Sequence, residues 1–181
     1  MRRITSLAIT TIILFISAIC SIPAEEDNTL KDPSGQYMMQ YPNNWNCKLI
    51  ENTVPVFNPI ENGFPNDNVW LMLNPMAIEI LKIDYTFNNA EEAVDAAIKS
   101  YSSLEKSDYP AGLEVLRKEA GDDKTAASVI CVFTKMQRKR KLYIFYDNQK
   151  YYWFEYDASN EEFDKYLPFT DEIMKSFKIT K

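Results

Sequence analysis

The sequence predicts an α+β domain built around an antiparallel sheet, and the clearest signal lies in residues 125–157. This stretch contains three runs rich in β-branched and aromatic residues, at 126–134, 142–146 and 151–156. Two short polar breaks separate the runs, which is the pattern of an antiparallel meander. In the last two runs the odd-numbered and the even-numbered residues are both apolar. A strand in a sheet with one face exposed to water instead alternates apolar and polar residues. We therefore expect the meander to form the centre of the sheet and to be covered on both faces.

The N-terminus predicts export. Two arginines precede a short apolar run at 7–20, and acidic residues follow from position 25, which indicates a secretory signal peptide over residues 1–24. A lipoprotein signal that ends at Cys20, with the lipid on that residue, is an equal alternative. The run is short for a transmembrane helix, so an uncleaved anchor is favoured less. We expect a periplasmic, secreted or lipid-anchored envelope protein, with residues 25–34 as a loose polar lead-in.

Composition and charge exclude several classes of function. The chain has no histidine, which removes Ser-His-Asp and Cys-His catalysis and most zinc and copper sites. The net charge is −6, and removal of Arg2 and Arg3 with the signal peptide leaves 18 basic against 26 acidic side chains, a net charge of −8. A domain this acidic is a poor general binder of nucleic acid or anionic membranes. We therefore expect neither an enzyme nor a cofactor.

The first half of the mature chain predicts strands at 36–41, 45–50, 69–73 and 77–87. Between the second and third of these strands, residues 51–68 contain three prolines. A proline lacks the backbone N–H that a central strand needs, and it cannot continue a helix. We expect a packed surface loop in this stretch.

Two segments show helical periodicity. In 88–106, an asparagine can cap the start, acidic residues occupy the first turn, and apolar residues recur at helical spacing. A strand at 113–120 then leads into the meander. The segment 159–178 begins with a capping-box pattern and also carries apolar residues at helical spacing. We expect Pro168 to split it into a short turn and a longer helix.

Three short motifs follow one another along the mature chain. They are Tyr41-Pro42-x-x-Trp45 after the first strand, the aromatic meander after Gly121, and Phe163-x-x-Tyr166-x-Pro168 followed by Ile173-x-x-Ser176-Phe177. In this order the motifs resemble the PsbP-like family, named for the extrinsic photosystem II subunit, whose fold is shared with eukaryotic Ran-binding proteins and exported bacterial proteins of unknown role. The resemblance implies an antiparallel sheet with helices on both faces, a PsbP-like sandwich that occupies residues 35–181 as a single domain.

The resemblance also sets expectations for one turn and for the setting of the protein. The family usually has Gly before the tryptophan of the first motif, whereas this chain has Asn44. Asn can adopt the same left-handed backbone at some cost, and we expect Trp45 to be buried beneath the turn. Nothing at the N-terminus resembles a chloroplast transit peptide, so a photosynthetic role is not supported.

The resemblance implies no catalytic residues, because members of this fold mostly act as binding or assembly proteins. We therefore predict an exported non-enzymatic binding or assembly module with a protein partner in the cell envelope. Membrane association is expected only through a lipid anchor or an uncleaved N-terminal segment, and nucleic acid is not expected as a partner. The alternative is an envelope carrier of a small apolar ligand or lipid in a cavity between sheet and helix. A third hypothesis is a hydrolase that works through carboxylates, although the sequence ties no acid pair to a cleft.

One basic cluster stands out on this acidic chain, and it consists of Arg138, Lys139, Arg140 and Lys141. One interpretation is a contact for an anionic partner, such as a lipid headgroup or an acidic protein. The other is a solvated hairpin loop at 135–141 whose charges block pairing at a sheet edge.

The two cysteines of the mature domain, Cys47 and Cys131, both lie in predicted strands. Export to an oxidising compartment favours a disulfide between them. The alternative is a pair of buried free thiols that act as small apolar residues. Spacing alone does not decide between the two.

Overall fold

The computed structural model of the protein describes residues 28–104 and 112–180. The predicted signal peptide, the lipidation hypothesis at Cys20 and the last two residues of the helix predicted at 88–106 lie outside these ranges. Within the two described ranges, no helix is both long enough and apolar enough to span a membrane.

The described residues form eleven strands and three helices. In chain order these are β1 (Asn28–Lys31), β2 (Tyr37–Tyr41), β3 (Trp45–Ile50), β4 (Val54–Glu61), β5 (Phe64–Pro65), β6 (Trp70–Leu73), α1 (Pro75–Asp84), α2 (Ala90–Leu104), β7 (Leu113–Ala120), β8 (Ala126–Phe133), β9 (Arg138–Asp147), β10 (Lys150–Ser159), α3 (Phe163–Ser176) and β11 (Lys178–Ile179).

Strands β8, β9 and β10 form the predicted meander inside a large antiparallel sheet. The strand order of this sheet is β3-β4-β6-β10-β9-β8-β7, with the short β5 attached to β4. The turn between β9 and β10 consists of Asn148 and Gln149, whose φ angles of 48° and 67° are both left-handed. This is the backbone that a two-residue type I′ hairpin requires. The predicted fold class, a central antiparallel meander in an α+β domain, is confirmed.

The large sheet is covered on both faces, as its two-sided apolar pattern predicts. Helices α1 and α2 pack on one face, over a core that includes Leu142, Ile144 and Trp153. Helix α3 and the small sheet β1-β2-β11 cover the other face, over a core that includes Tyr143 and Phe154. Because neighbouring residues of a strand point to opposite faces, consecutive residues of β9 contribute to different cores.

The lead-in predicted at 25–34 contains a strand. Strand β1 pairs with β2 in the register Asn28↔Tyr41 to Lys31↔Met38. Strand β11 pairs with the other edge of β2. The two ends of the described chain therefore meet in one small sheet.

Trp45 is buried, and its ring contacts Tyr166 of α3 edge-on at a centroid distance of 6.1 Å. The turn before it closes through a hydrogen bond from the Trp45 N–H to the Pro42 carbonyl (3.0 Å). Asn44 does not use the left-handed backbone that is open to it, because its φ is not positive. Its carbonyl instead accepts a hydrogen bond from the Ile60 N–H (2.7 Å) and so extends the β3–β4 ladder.

The prediction of a surface loop at 51–68 is wrong, because β4 lies there between β3 and β6. The hydrogen-bonded positions of the β3–β4 ladder are the even-numbered residues of β4, such as Ile60. The missing N–H groups of Pro55 and Pro59 therefore point away from β3. On that other side, β6 pairs only with the two residues after Pro55. Neither proline interrupts a ladder bond, which is how an interior strand tolerates both.

The prediction of a strand at 77–87 is also wrong, because the chain forms helix α1 there. Asn74 caps this helix, since its Oδ1 accepts a hydrogen bond from the Ala77 N–H (3.1 Å). Pro75 occupies the first helical position, where a missing N–H is harmless. Apolar residues lie on both sides of α1, and this gives the sequence the alternation of a strand.

The other two predicted helices are present, with one difference. Helix α2 begins after Asn89, whose Oδ1 accepts a hydrogen bond from the Glu92 N–H (2.9 Å), as expected of a cap. Helix α3 continues through Pro168, so the predicted break is wrong. The proline leaves only the carbonyl of Asp164 without its helical donor. Both residues are exposed, so water can satisfy that carbonyl.

Trp45→Ala should lower the free energy of unfolding by roughly 3–5 kcal/mol, because it removes a large buried ring and leaves a cavity beside α3. Urea unfolding of the two proteins measures the difference. Phe64→Ala serves as the control, since Phe64 is exposed and its removal should change stability by at most about 0.5 kcal/mol. A loss below about 1 kcal/mol for Trp45→Ala would contradict the packing described here.

Candidate functional site

The basic cluster lies on strand β9 and not in a hairpin loop. The turn occupies residues 134–137, and β9 already begins at Arg138. The prediction of a solvated loop is therefore wrong. Because residues alternate along a strand, Arg138 and Arg140 lie on the face of α1 and α2, and Lys139 and Lys141 lie on the face of α3.

The two arginines bind carboxylates of the neighbouring strand β10. Asp157 accepts hydrogen bonds from Nε of Arg138 and from Nε of Arg140 (3.0 Å). Nη1 of Arg140 binds Oε2 of Glu155 (3.2 Å), whose other oxygen accepts from the indole N–H of Trp153 (2.9 Å). Both carboxylates are buried. Burial acts to lower the pKa of Arg140, but the Glu155 and Asp157 charges outweigh it and raise the pKa, so the guanidinium stays charged.

The two lysines bind aspartates of helix α3. Lys139 pairs with Asp164 (3.1 Å), and Lys141 pairs with Asp171 (2.7 Å). The two aspartates are seven residues apart, about two helical turns, so they lie on the same side of α3. Tyr143 donates a hydrogen bond to the same oxygen of Asp171 (2.8 Å). Burial, and then the nearby Asp171, raise the pKa of Tyr143, so the phenol keeps its proton.

All four cations of the basic cluster are thus paired inside the domain. The arginines join β9 to β10, and the lysines join the sheet to α3. A contact between this cluster and an anionic partner stays a prediction, and such a partner would have to compete with these ion pairs.

Two open grooves lie on opposite faces of β9. The α3 groove, of about 450 Å³, lies between α3 and strands β7 and β8, and is lined by Lys141 and Asp171 as well as by Phe145 and Met174. The α1–α2 groove, of about 320 Å³, lies between these two helices and is lined by Arg140 and by apolar residues of both helices. Each groove therefore combines apolar walls with a paired cation of the basic cluster.

The outer side of α1 carries a row of exposed apolar residues, which we call the α1 stripe. Met76, Ile80 and Ile83 are 62%, 58% and 79% exposed. Their spacings of four and three residues place them on one side of the helix. The opposite side carries Ile78 and Leu81, which are buried against the sheet. Ile80 also lines the α1–α2 groove, so the stripe and the groove form one continuous surface.

The charged residues that border the α1 stripe leave it acidic. Lys82 is paired with Glu79 of the same helix (3.0 Å), and its Nζ lies 5.5 Å from the centre of the Tyr151 ring. The cation is thus held toward β10. Asp84 is exposed and makes no ion pair within the part of the chain that the structure describes.

Other exposed apolar residues are isolated or protected. Edge strand β7 exposes Val115 and Leu116 beside a β-bulge and among charged residues, a combination that blocks strand pairing. Phe64 of β5 and Met136 of the β8–β9 turn are exposed elsewhere on the surface, and the remaining exposed apolar residues, Ile50, Ile60 and Phe169, are only 38–45% exposed. The α1 stripe is therefore the best candidate for a contact surface.

Comparison with known proteins agrees with this architecture. A family model described as PsbP matches residues 26–179. The chain belongs to the PsbP family. A search of curated proteins finds no match to this PsbP family member.

Two solved structures resemble the protein over most of its length. One is the solution structure of cyanobacterial PsbP (CyanoP) from Synechocystis sp. PCC 6803, with a TM-score of 0.55 and 13% identity, over 91% of this chain and 98% of that one. The other is the crystal structure of the Ran-binding protein Mog1p from Saccharomyces cerevisiae, with a TM-score of 0.58 and 9% identity, over 86% of this chain and 96% of that one. At these identities the likeness shows a common fold.

In the part of this PsbP family member that the structure describes, Cys47 and Cys131 are free thiols. Cys47 lies on β3 and Cys131 on β8, five strands apart in the sheet order. At the usual strand spacing this separation is roughly 24 Å, far beyond the 7 Å or so that a disulfide spans. The disulfide alternative therefore does not hold. Burial raises the pKa of both thiols to about 11. Among the residues that the structure describes, no three Cys, Asp or Glu side chains are grouped so as to hold a metal ion.

Sequence reasoning identified the basic cluster but missed the α1 stripe, because it predicted a strand at 77–87. The pair Asn74-Pro75 is a strong helix start. Read from that start, the exposed apolar residues recur at helical spacing. These two signals together could have found the stripe.

Asp157→Ala should lower the free energy of unfolding by roughly 3–5 kcal/mol, because it leaves two partly buried arginines without their shared carboxylate. Asp164→Ala is the matched control, since Asp164 is also an ion-pair aspartate but its side chain is 75% exposed, against 2% for Asp157. Its loss should cost at most about 1 kcal/mol. Urea unfolding measures both. Equal effects of the two substitutions would refute a structural role for the buried pair.

Proposed function

We propose that this PsbP family member is an exported, non-enzymatic binding or assembly module whose protein partner contacts the α1 stripe. The observation that carries this site is the row of three exposed apolar side chains on one side of α1. Apolar residues grouped on the surface of a soluble protein mark interaction sites more often than scattered ones do. The adjoining α1–α2 groove offers a recess for a side chain of the partner.

The fold supports a binding or assembly role in general, and a protein as the partner. Mog1p, which has this fold, is described as a Ran-binding protein. Fold alone does not determine function, so the partner of this chain is assigned from its own surface.

The N-terminal sequence supports export. A signal peptide over 1–24 would release a periplasmic or secreted domain, and a lipoprotein signal would anchor the same domain through Cys20. Both routes place the partner in the cell envelope or outside the cell.

Two features support a non-enzymatic role. The chain has no histidine, which is the commonest general acid and base. The buried carboxylates nearest the α1–α2 groove, Glu155 and Asp157, are already bound by arginines. Their pairing supports a structural role over a catalytic one.

A photo-crosslinking amino acid in place of Ile83 should join the protein to one partner in its native cells, because this position lies at the end of the α1 stripe. The same amino acid in place of Met136 is the control, since Met136 is similarly exposed but lies elsewhere on the surface. Mass spectrometry identifies the partner. The purified partner should then bind the Ile80→Ser/Ile83→Ser protein at least about tenfold more weakly than the wild type. Equal crosslinking from both positions, or none from position 83, would exclude the stripe as the contact.

A second candidate function is an envelope carrier of a small apolar ligand or lipid, and the α3 groove favours it. The groove volume of about 450 Å³ is within the range of small-molecule sites. Apolar atoms of Phe145 and Met174 line it, and Lys141 could face a ligand headgroup.

If the protein is a carrier, a fluorescent fatty acid should bind it with saturation at one site. Ala120→Trp should weaken binding at least about tenfold, because Ala120 lines the α3 groove and the indole would occupy ligand space. Leu116→Trp on the same strand is the control, since Leu116 does not line the groove. Equal binding by the two variants would argue against a ligand in this groove.

A further inference from the structure

We propose that the segment that binds the α1 stripe is an amphipathic helix of the partner, with apolar residues on one side and basic residues beside them. This inference rests on the proposed function, because it specifies the partner of the same site. It follows from the shape of the surface and from the charges that border it.

The shape of the surface fits a helix. Met76 and Ile83 are seven residues apart on α1, which corresponds to about 10 Å along the helix axis. A partner helix that lies alongside α1 would place apolar residues at i, i+4 and i+7 against the stripe. An extended peptide needs a sheet edge for its backbone hydrogen bonds, and two helices form this surface. The α1–α2 groove beside Ile80 gives the partner helix a recess for one of its side chains.

The charged residues at the border of the α1 stripe favour a basic partner. At 100° per residue, Glu79 lies about 60° to one side of Met76 around the helix axis, and Asp84 about 80° to the other side. Both are exposed. Lys82 lies farther around the helix, where it is paired with Glu79 and held over the ring of Tyr151. Lysines or arginines beside the apolar residues of the partner would complement this acidic border.

Two other occupants fit the border less well. A second copy of this chain, docked stripe to stripe, would bring its own Glu79 and Asp84 toward the same residues. The second is an anionic membrane. Surfaces that bind such membranes carry Lys and Arg beside the apolar residues, whereas the mature domain carries a net charge of −8 once Arg2 and Arg3 are removed.

Two synthetic peptides of about 18 residues, long enough to hold helical structure, test the proposal. Both carry three leucines at i, i+4 and i+7. One has lysines beside the leucines, and the other has glutamates at the same positions. Fluorescence anisotropy should show that the lysine peptide binds the full mature protein at least about tenfold more tightly than the glutamate peptide in low salt.

Three variants of the protein identify the site. Ile80→Ser/Ile83→Ser should weaken binding of the lysine peptide at least about tenfold, whereas Met136→Ser should leave the affinity for this peptide unchanged. Asp84→Lys should reverse the preference between the two peptides, because it replaces an acidic border residue with a basic one. A lysine in the last turn of a helix is favourable, so this variant should fold, and its melting curve checks that it does.

Several outcomes would each overturn the proposal. Among them are equal binding of the two peptides and binding that survives the Ile80→Ser/Ile83→Ser substitution. Dimerisation in sedimentation that needs Ile83, or adsorption to phosphatidylglycerol vesicles that needs Ile83, would do the same. Absence of binding by both peptides would also reject a basic helix as the occupant. A crosslinked partner at position 83 would in that case leave the proposed function standing and remove only this inference.

Discussion

The basic residues of β9 are stable inside the molecule because each has an acidic partner in an adjoining strand or helix. A partly buried charge is strongly unfavourable unless a counter-charge and hydrogen bonds satisfy it. Arg138 and Arg140 share Asp157 within the sheet, and Lys139 and Lys141 each bind an aspartate of α3. Because side chains alternate along a strand, β9 carries ion pairs on both faces of the sheet. Asp171 is the less exposed of the two aspartates, so its pairing with Lys141 contributes more than the Asp164 pair to holding α3 against the sheet.

An aromatic cluster holds the other end of α3. Phe177 follows the last residue of this helix, and its ring lies within 6 Å, between ring centres, of the rings of Tyr37, Phe145, Tyr152 and Phe154. The helix therefore has ion pairs near its start, at Asp164, and just past its middle, at Asp171, and aromatic packing at its end. Polar and apolar contacts thus both hold α3 against the same sheet.

Sequence reasoning succeeded where the signal is local. The apolar residues on both parities of β9 and β10 predict a sheet covered on both faces, and the cap and periodicity of α2 predict that helix. It failed where the deciding contact is distant. Asp164 and Asp171 lie 25 and 30 residues from the lysines that they bind, so the basic cluster read alone suggested a solvated loop.

The misread elements show the same dependence on context. Whether β4 accepts its prolines depends on which edge each missing N–H faces, and only the pairing with β3 and β6 decides this. The sequence of α1 alternates as a strand would, and its helical state depends on the cap at Asn74. Because the α1 stripe exists only in the helical state, the candidate contact surface could not be found until that element was assigned correctly.

The buried ion pairs also determine where the α1 stripe is placed. Asn74 caps α1 through its Oδ1, and its Nδ2 donates a hydrogen bond to Oε1 of Glu155 (3.1 Å), the carboxylate that Arg140 binds. A helix of ten residues is marginal alone, so α1 depends on this cap and on the burial of Ile78 and Leu81. With those two residues inward, the α1 stripe must face outward. Sequence analysis suggested Arg140 as a contact for a partner. In the structure it acts indirectly on the α1 stripe, because it binds the carboxylate of Glu155, to which Asn74 at the start of α1 is hydrogen-bonded.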